Sequence, residues 1–206
     1  MVQSPLFEVA CDRGAGHGGV LWDGALALAA YIWQVRHIAA ADGTLPPCVL
    51  ELGAGCGLPS LVAAAAYPGA TVVATDLPDM VPLLTANATA ATAVLADAHS
   101  TIIPAAHVWG GALRRLSRAT GLPSTTPFTA ILAADVVGVG EGVHATALWK
   151  TLTDVAASNP AVTVLLAHRS RAPGEDAFFD MAAHHRWHVH LAARYSPAAI
   201  AALHAC

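Results

Sequence analysis

The sequence predicts an α/β chain built on a doubly wound, mostly parallel sheet, and two observations carry that expectation. Nearly continuous apolar runs recur at Ala70–Thr75, Phe128–Ala134 and Ala161–Ala167, each separated from the next by helix-forming stretches. Strands buried on both faces read this way, whereas half-solvated strands alternate. The second observation is the stretch Cys48-Val49-Leu50-Glu51-Leu52-Gly53-Ala54-Gly55-Cys56-Gly57-Leu58-Pro59-Ser60. It begins apolar and β-prone, passes through alternating glycines and ends where a helix can start.

Taken in order, residues 1–19 are glycine-rich around Arg13–Gly19 and are expected to form a flexible leading segment ahead of a single domain over 20–206. Val20 to Ala40 reads as a helix with a broad apolar surface that includes Trp22, Leu26, Tyr31 and Trp33. The glycine stretch follows, and Leu61 to Ala66 supplies apolar helix formers until Pro68-Gly69 stops them. A glycine loop lets the backbone approach a ligand closely. The free N–H groups at the following helix start favour an anionic or strongly accepting group. Ala70 to Asp76 is then a buried strand ending in a carboxylate, placed to accept hydrogen bonds from both hydroxyls of a ribose. Strand, glycine loop, helix, strand and terminal acid together predict a nucleoside-containing cofactor.

The spacing separates cofactor classes. A dinucleotide fingerprint is G-x-G-x-x-G, whereas this chain has Gly53-x-Gly55-x-Gly57 with Leu58 in the sixth position. Glu51-x-Gly53-x-Gly55-x-Gly57 resembles the first motif of the seven-strand, class I methyltransferases that use S-adenosylmethionine. Glu51 to Ser60 and Ala74-Thr75-Asp76-Leu77-Pro78 are similar to the methyltransferase-16 group, which includes protein-lysine methyltransferases. That resemblance implies a Rossmann-like sheet and cofactor contacts from Glu51, Gly53, Ala54, Gly55, Gly57, Asp76 and Leu77. It also implies a cofactor-side role for Trp22, which precedes the first helix in Val20–Leu28.

Asp79 to Ala93 is expected to be a helix with Pro82 in its first turn, where proline is tolerated. Asn87 on it matches an asparagine of the resembled group. Residues 94–103 read as a loop and Pro104–Val108 as a short third strand, followed by Trp109-Gly110. The resemblance puts Trp109 beside the adenine, although Val108 stands where the group commonly has an acid. Arg114, Arg115 and Arg118 read as a solvated helical face. Phe128–Asp135 is a central strand whose end the resemblance assigns to the site, with Ala134 on the cofactor and Asp135 at the mouth where the substrate amine meets the methyl donor. The group carries Asp-x-x-Tyr there; this chain has Asp135-Val136-Val137-Gly138. With no ring at 138, normal cofactor affinity but slow or narrowly selective transfer is expected, unless an aromatic from the N-terminal or the 169–180 segment fills the gap. A helix over 141–157, a helix over 174–185, a sixth strand over Trp187–Leu191 and a short last helix complete the reading, with no seventh strand evident. His184, His185, His188 and His190 have no cysteine or carboxylate cluster beside them, so a solvated strand face is preferred to a metal site.

Composition narrows the alternatives. Hydrophobic residues make up 55% and charged residues 12%, with a net charge of −4. That balance argues against a nucleic-acid face, which needs a basic surface. No apolar run is long and clean enough to span a bilayer. Four cysteines without C-x-x-C spacing suggest neither zinc nor a disulfide framework. The sequence therefore predicts a cytoplasmic, monomeric S-adenosylmethionine-dependent methyltransferase acting on a lysine-bearing protein. A catalytically weak cofactor-binding module and, less well fitted, a nicotinamide enzyme remain as competing readings, as do small-molecule amines as acceptors.

Overall fold

The structure is a computed structural model that describes residues 7–39, 48–138, 143–171, 175–185 and 187–204. Helix α1 (Asp23–Ala39) leads into β1 (Cys48–Leu52), α2 (Leu58–Ala66) and β2 (Thr71–Asp76). Helices α3 (Val81–Ala90) and α4 (Thr92–Leu95) precede β3 (Thr101–Ala106) and α5 (Leu113–Thr120). Then come β4 (Ala130–Ala134), α6 (Val143–Ser158), β5 (Thr163–Ala167), α7 (Asp176–His184) and α8 (Pro197–His204). The five strands are parallel and ordered β3-β2-β1-β4-β5, so β1 is central and the order reverses between β1 and β4. This is the doubly wound, Rossmann-like arrangement the sequence predicts.

Period-two alternation explains the layers. Val49, Val72 and Leu132 point to the face covered by α1 and α2, where they meet Leu28, Ile32, Leu61 and Val62. Leu50, Leu52, Val73 and Ile131 point the other way, to Leu116 of α5, Leu148 and Leu152 of α6 and Phe178 of α7. The same parity sends Glu51 to the α2 side, into the core. All five strands end at one edge of the sheet, and the loops bearing Gly53–Gly57, Asp76–Leu77, Trp109 and Asp135 leave from that edge.

Three sequence expectations differ from the structure. The third strand begins at Thr101, not Pro104, because Thr101 donates to Ala70 O at 2.9 Å and Ile102 and Ile103 pair with Val72 and Val73. Pro104 is tolerated because, among the described residues, β3 is an edge strand with one side unpaired. The helix expected over 79–93 breaks into a short turn at Pro78–Met80, then α3 and α4. The sixth strand over Trp187–Leu191 is not formed. Trp187 N instead donates to Ala182 O at 2.9 Å, folding the chain back under α7 so that its indole meets Trp149. Val189 and Leu191 are left solvent-exposed, and β5 is the sheet edge among the described residues.

Residues 7–19 are built onto this frame. Asp12 caps a 3-10 turn over Arg13–Gly19, its Oδ1 accepting from Gly14 N at 2.9 Å, and its own N–H donates to Gly19 O at 2.9 Å. Asn87, 2% exposed, ties this segment down. Its Oδ1 accepts from Ala10 N at 2.9 Å, and its Nδ2 donates to Ala10 O at 3.0 Å and Cys56 O at 2.9 Å. Removing a partner from buried groups costs about 1–3 kcal/mol. Asn87→Ala is accordingly expected to lower stability by about 2–3 kcal/mol and to free the segment, read as faster hydrogen exchange at Ala10. Unchanged exchange would mean that the segment is held elsewhere.

Candidate active site

The glycine loop is held from below before anything binds above it. Ala54 N donates to Thr75 O at 2.9 Å, Gly57 N to Ala54 O at 2.7 Å, and Thr75 Oγ1 to Glu51 O at 2.6 Å. Gly55 has a φ of 54°, and a Cβ there would lie 2.8 Å from Gly18 O. The loop therefore needs glycine both for its left-handed backbone and for the approach of the 13–19 turn. Asp76, at the end of β2, accepts from Gly55 N through Oδ2 at 2.7 Å and from Leu77 N through Oδ1 at 2.7 Å. Each oxygen keeps a further lone pair, so the carboxylate is oriented but not saturated. Leu77 lies beside it with its side chain exposed.

Glu51 does not face this opening. It is 1% exposed and accepts a short hydrogen bond from Ser60 Oγ at the start of α2. Burial pushes its carboxyl up to about 8; the Ser60 contacts oppose that shift and the Asp76 charge adds to it. The resemblance assigned Glu51 to the cofactor, and its position is that of a pin joining β1 to α2 under the loop. Cys56 is likewise a buried loop residue, its Sγ 3.7 Å from Cys11 Sγ. Burial and that neighbour push its thiol up to about 12, which keeps it protonated at neutral pH.

Across the sheet, Asp135 follows β4 with a φ of 54°, uncommon for a residue with a side chain. It is 6% exposed, and its carboxylate gathers three donors. Gly24 N at the start of α1 lies 2.7 Å from Oδ2, Arg169 N 3.2 Å from Oδ1, and Arg171 Nη2 3.0 Å from Oδ1. Gly24 leaves no room for a side chain, since a Cβ there would be 2.5 Å from Asp135 Oδ2. Trp22 joins the group. Its Nε1 donates to His17 O at 2.8 Å, its ring stacks parallel to His17, and the Arg171 guanidinium lies 4.9 Å from its ring centre. Trp109 reaches over the glycine loop, with Cζ2 3.2 Å from where a Gly53 Cβ would be, while Gly110 N donates to Thr151 Oγ1 at 2.8 Å.

Gly138 settles what stands in for the expected ring. Its φ is 84°, and a Cβ would fall 2.3 Å from Glu175 Oε1. What lies there comes from the 169–180 segment, but it is a carboxylate and not an aromatic side chain. Glu175 Oε2 accepts from Arg171 N at 2.8 Å and lies 3.3 Å from His168 Nε2. The run continuing through Val139 and Gly140 lies outside the described residues.

The structure thus brings Gly53, Ala54, Gly55, Gly57, Asp76, Leu77 and Trp109 to one half of the carboxyl edge. Trp22, Ala134 and Asp135 occupy the other half. Sequence reading missed Asn87 as a clamp and Arg169, Arg171 and Glu175 as partners of the mouth. His168-Arg169-Ser170-Arg171 directly follows an apolar strand, and basic residues just past a parallel strand's end were the available signal. A cavity of about 340 Å³ between α3, α4 and β3 involves none of the loop residues and is not this site.

Fold and site together define a doubly wound α/β domain with a glycine loop and two strand-end acids across its topological switch point. The family model described as lysine methyltransferase matches residues 2–185, and the chain belongs to that family. It is 35% identical over 118 residues to "Protein N-terminal and lysine N-methyltransferase efm7" of Schizosaccharomyces pombe (strain 972). That match covers 57% of this chain and 43% of the length of the relative. A crystal structure of a Nostoc punctiforme PCC 73102 protein described as an O-methyltransferase overlaps 68% of this chain and 36% of its own, at 13% identity and a TM-score of 0.40.

Proposed function

We propose that this protein is an S-adenosylmethionine-dependent methyltransferase that modifies amine nitrogens of proteins, lysine side chains first among them. The observation that carries the reading is the pairing, across β1 and β4, of a glycine loop beside Asp76 with the buried Asp135. The donor set fits the cofactor. Asp76 has free lone pairs for ribose hydroxyls, the loop offers side-chain-free backbone, and Trp109 offers an aromatic face for a purine. When bound, S-adenosylmethionine supplies an electrophilic methyl group, its S–C bond breaking as the N–C bond forms.

The residues of the chain do the positioning. Asp135 is fixed by Gly24 N and Arg169 N and can accept hydrogen bonds from an incoming amine, aiming the nitrogen lone pair. An ammonium must first give its proton to solvent, and desolvation beside Trp22 and the apolar strand ends favours the neutral amine. The Asp135 charge opposes that loss, so alignment and desolvation must outweigh it. The relative's name also covers protein N-termini, and an α-amine meets the same requirements with an easier deprotonation. We place this activity in the cytoplasm, in a monomer. A second reading, a cofactor-binding interaction module with weak catalysis, draws on Gly138 and on Arg171 lying against Asp135.

Asp76→Ala is expected to weaken binding of S-adenosylmethionine by about 1–3 kcal/mol, the scale of a lost charge-assisted hydrogen bond, in isothermal calorimetry. An unchanged dissociation constant would place the ribose elsewhere. Labelled-donor incubation with cell lysate tests the function itself. Transfer to proteins supports it, whereas donor binding without transfer favours the second reading.

A further inference from the structure

We propose that Arg171 is a built-in occupant of the acceptor site, holding the cage that the acceptor's ammonium group enters. This rests on the amine-methyltransferase reading and adds to it the residue that controls entry. The Asp135 carboxylate is 2% exposed at its side chain, yet among the described residues the cation it pairs with comes from a side chain 35% exposed at the mouth. Arg171 reaches in along an unbranched stem, puts Nη2 3.0 Å from Asp135 Oδ1 and lies 4.9 Å from the Trp22 ring centre. A buried carboxylate and an aromatic face meeting the same cationic group are the recognition chemistry of an organic cation. A lysine side chain has a comparable unbranched reach and the same charge, so it competes for the same place.

The surroundings hold the cage in shape whether or not Arg171 fills it. Trp22 is fixed through Nε1 to His17 O, and Asp135 through the N–H groups of Gly24 and Arg169. The root of Arg171 is held separately, by its N–H to Glu175 Oε2 at 2.8 Å. Its guanidinium can therefore swing out without moving the backbone that anchors it. Beside it Arg169 Nη1 pairs with Asp23 Oδ2 at 2.8 Å, exposed at the rim. One arginine of the segment thus pairs at the exposed rim and the other lies against the buried carboxylate. An acceptor pays to displace Arg171, so the apparent affinity falls by the fraction of time the cage is free. Arg171 is a specificity-determining residue on this account, admitting only cations that outcompete it.

The probe is n-butylammonium, a mimic of the lysine end, titrated at constant ionic strength against the full chain without methyl donor and followed by isothermal calorimetry. Arg171→Gln is expected to bind it about tenfold more tightly than the parent, and that gain should vanish in Arg171→Gln/Trp22→Phe. Equal or weaker binding by Arg171→Gln, or a gain that survives loss of Trp22, would overturn the proposal. Where circular dichroism shows that Arg171→Gln has lost its fold, Arg171→Lys serves instead. Its weaker, single-point contact predicts a gain of about threefold, and parent-like binding overturns the idea. No gain in butylammonium binding alongside proven lysine methylation would sink Arg171's role alone. A gain with no transfer to any protein would support the cage and sink the catalytic reading.

Discussion

Asp135→Ala is expected to lower methyl transfer by at least about 100-fold while leaving the affinity for the methyl donor nearly unchanged. The separation follows from position. Asp135 closes β4, whereas the glycine loop and Asp76 follow β1 and β2 on the far side of the switch point. The same substitution carries a stability cost. Gly24 N and Arg169 N lose their acceptor, Arg171 loses its counter-charge, and alanine inherits a φ of 54°. Breaking such a group costs about 2–4 kcal/mol, moderated because Arg171 can turn to solvent. Asp135→Asn keeps the shape and an acceptor for one of the two backbone N–H groups, so it should fold more nearly like the parent than Asp135→Ala and still transfer slowly. Initial rates with a lysine-bearing substrate, beside calorimetry with the donor, read both effects. Parent-like rates in Asp135→Ala would remove Asp135 from the reaction.

Glu51 makes stability depend on pH with a sign opposite to that of most carboxylates. Its folded pKa of about 8 stands above the ordinary 4.5. The native state therefore holds a proton that the unfolded chain has given up, and stability falls as pH rises between those two values. At 1.36 kcal/mol per unit, the loss approaches about 4–5 kcal/mol on the alkaline side. Glu51→Gln keeps the size and an acceptor for Ser60 Oγ, and has no proton to lose. Urea unfolding of parent and variant at about pH 5.5 and pH 8.5 isolates the effect as a difference. The variant should gain on the parent as pH rises. His107, buried and with its pKa lowered mainly by desolvation, pulls the other way in both proteins and cancels. A variant no better at alkaline pH would show that the Glu51 carboxyl ionises without penalty.

How legible the molecule was depended on whether a feature is local. The strands around Val72–Ala74 and Ile131–Ala133 and the loop Gly53–Gly57 were readable because their cause lies in consecutive residues. Asp76 and Asp135 were readable because an acid closing an apolar run is itself a local pattern. The segment Trp187–Leu191 was misread because its alternation fits a strand. What decides it is one hydrogen bond back to Ala182 and the neighbouring Trp149, which no spacing shows. Glu51 looked like a ligand contact, because the motif gives its place in the chain and not the parity that turns it toward Ser60. Gly138 was seen as a gap, while Glu175, which lies against it, is far along the chain and could be placed only by the fold.

The links that make the mouth and seat the leading segment span long separations along the chain. Gly24 and Asp135 are 111 positions apart, Asp23 and Arg169 are 146 apart, and Ala10 and Asn87 are 77 apart. The sheet pairs β1 with β2 and β2 with β3 through much shorter separations. Long-separation contacts close last, because the chain must surrender loop entropy before they repay it. On a ribosome, the leading segment and α1 leave the exit tunnel with their partners still unmade. The nascent chain therefore carries a folded half-sheet for some time before it has a reaction centre, and residues made ahead of that half-sheet are among the last to find their seats.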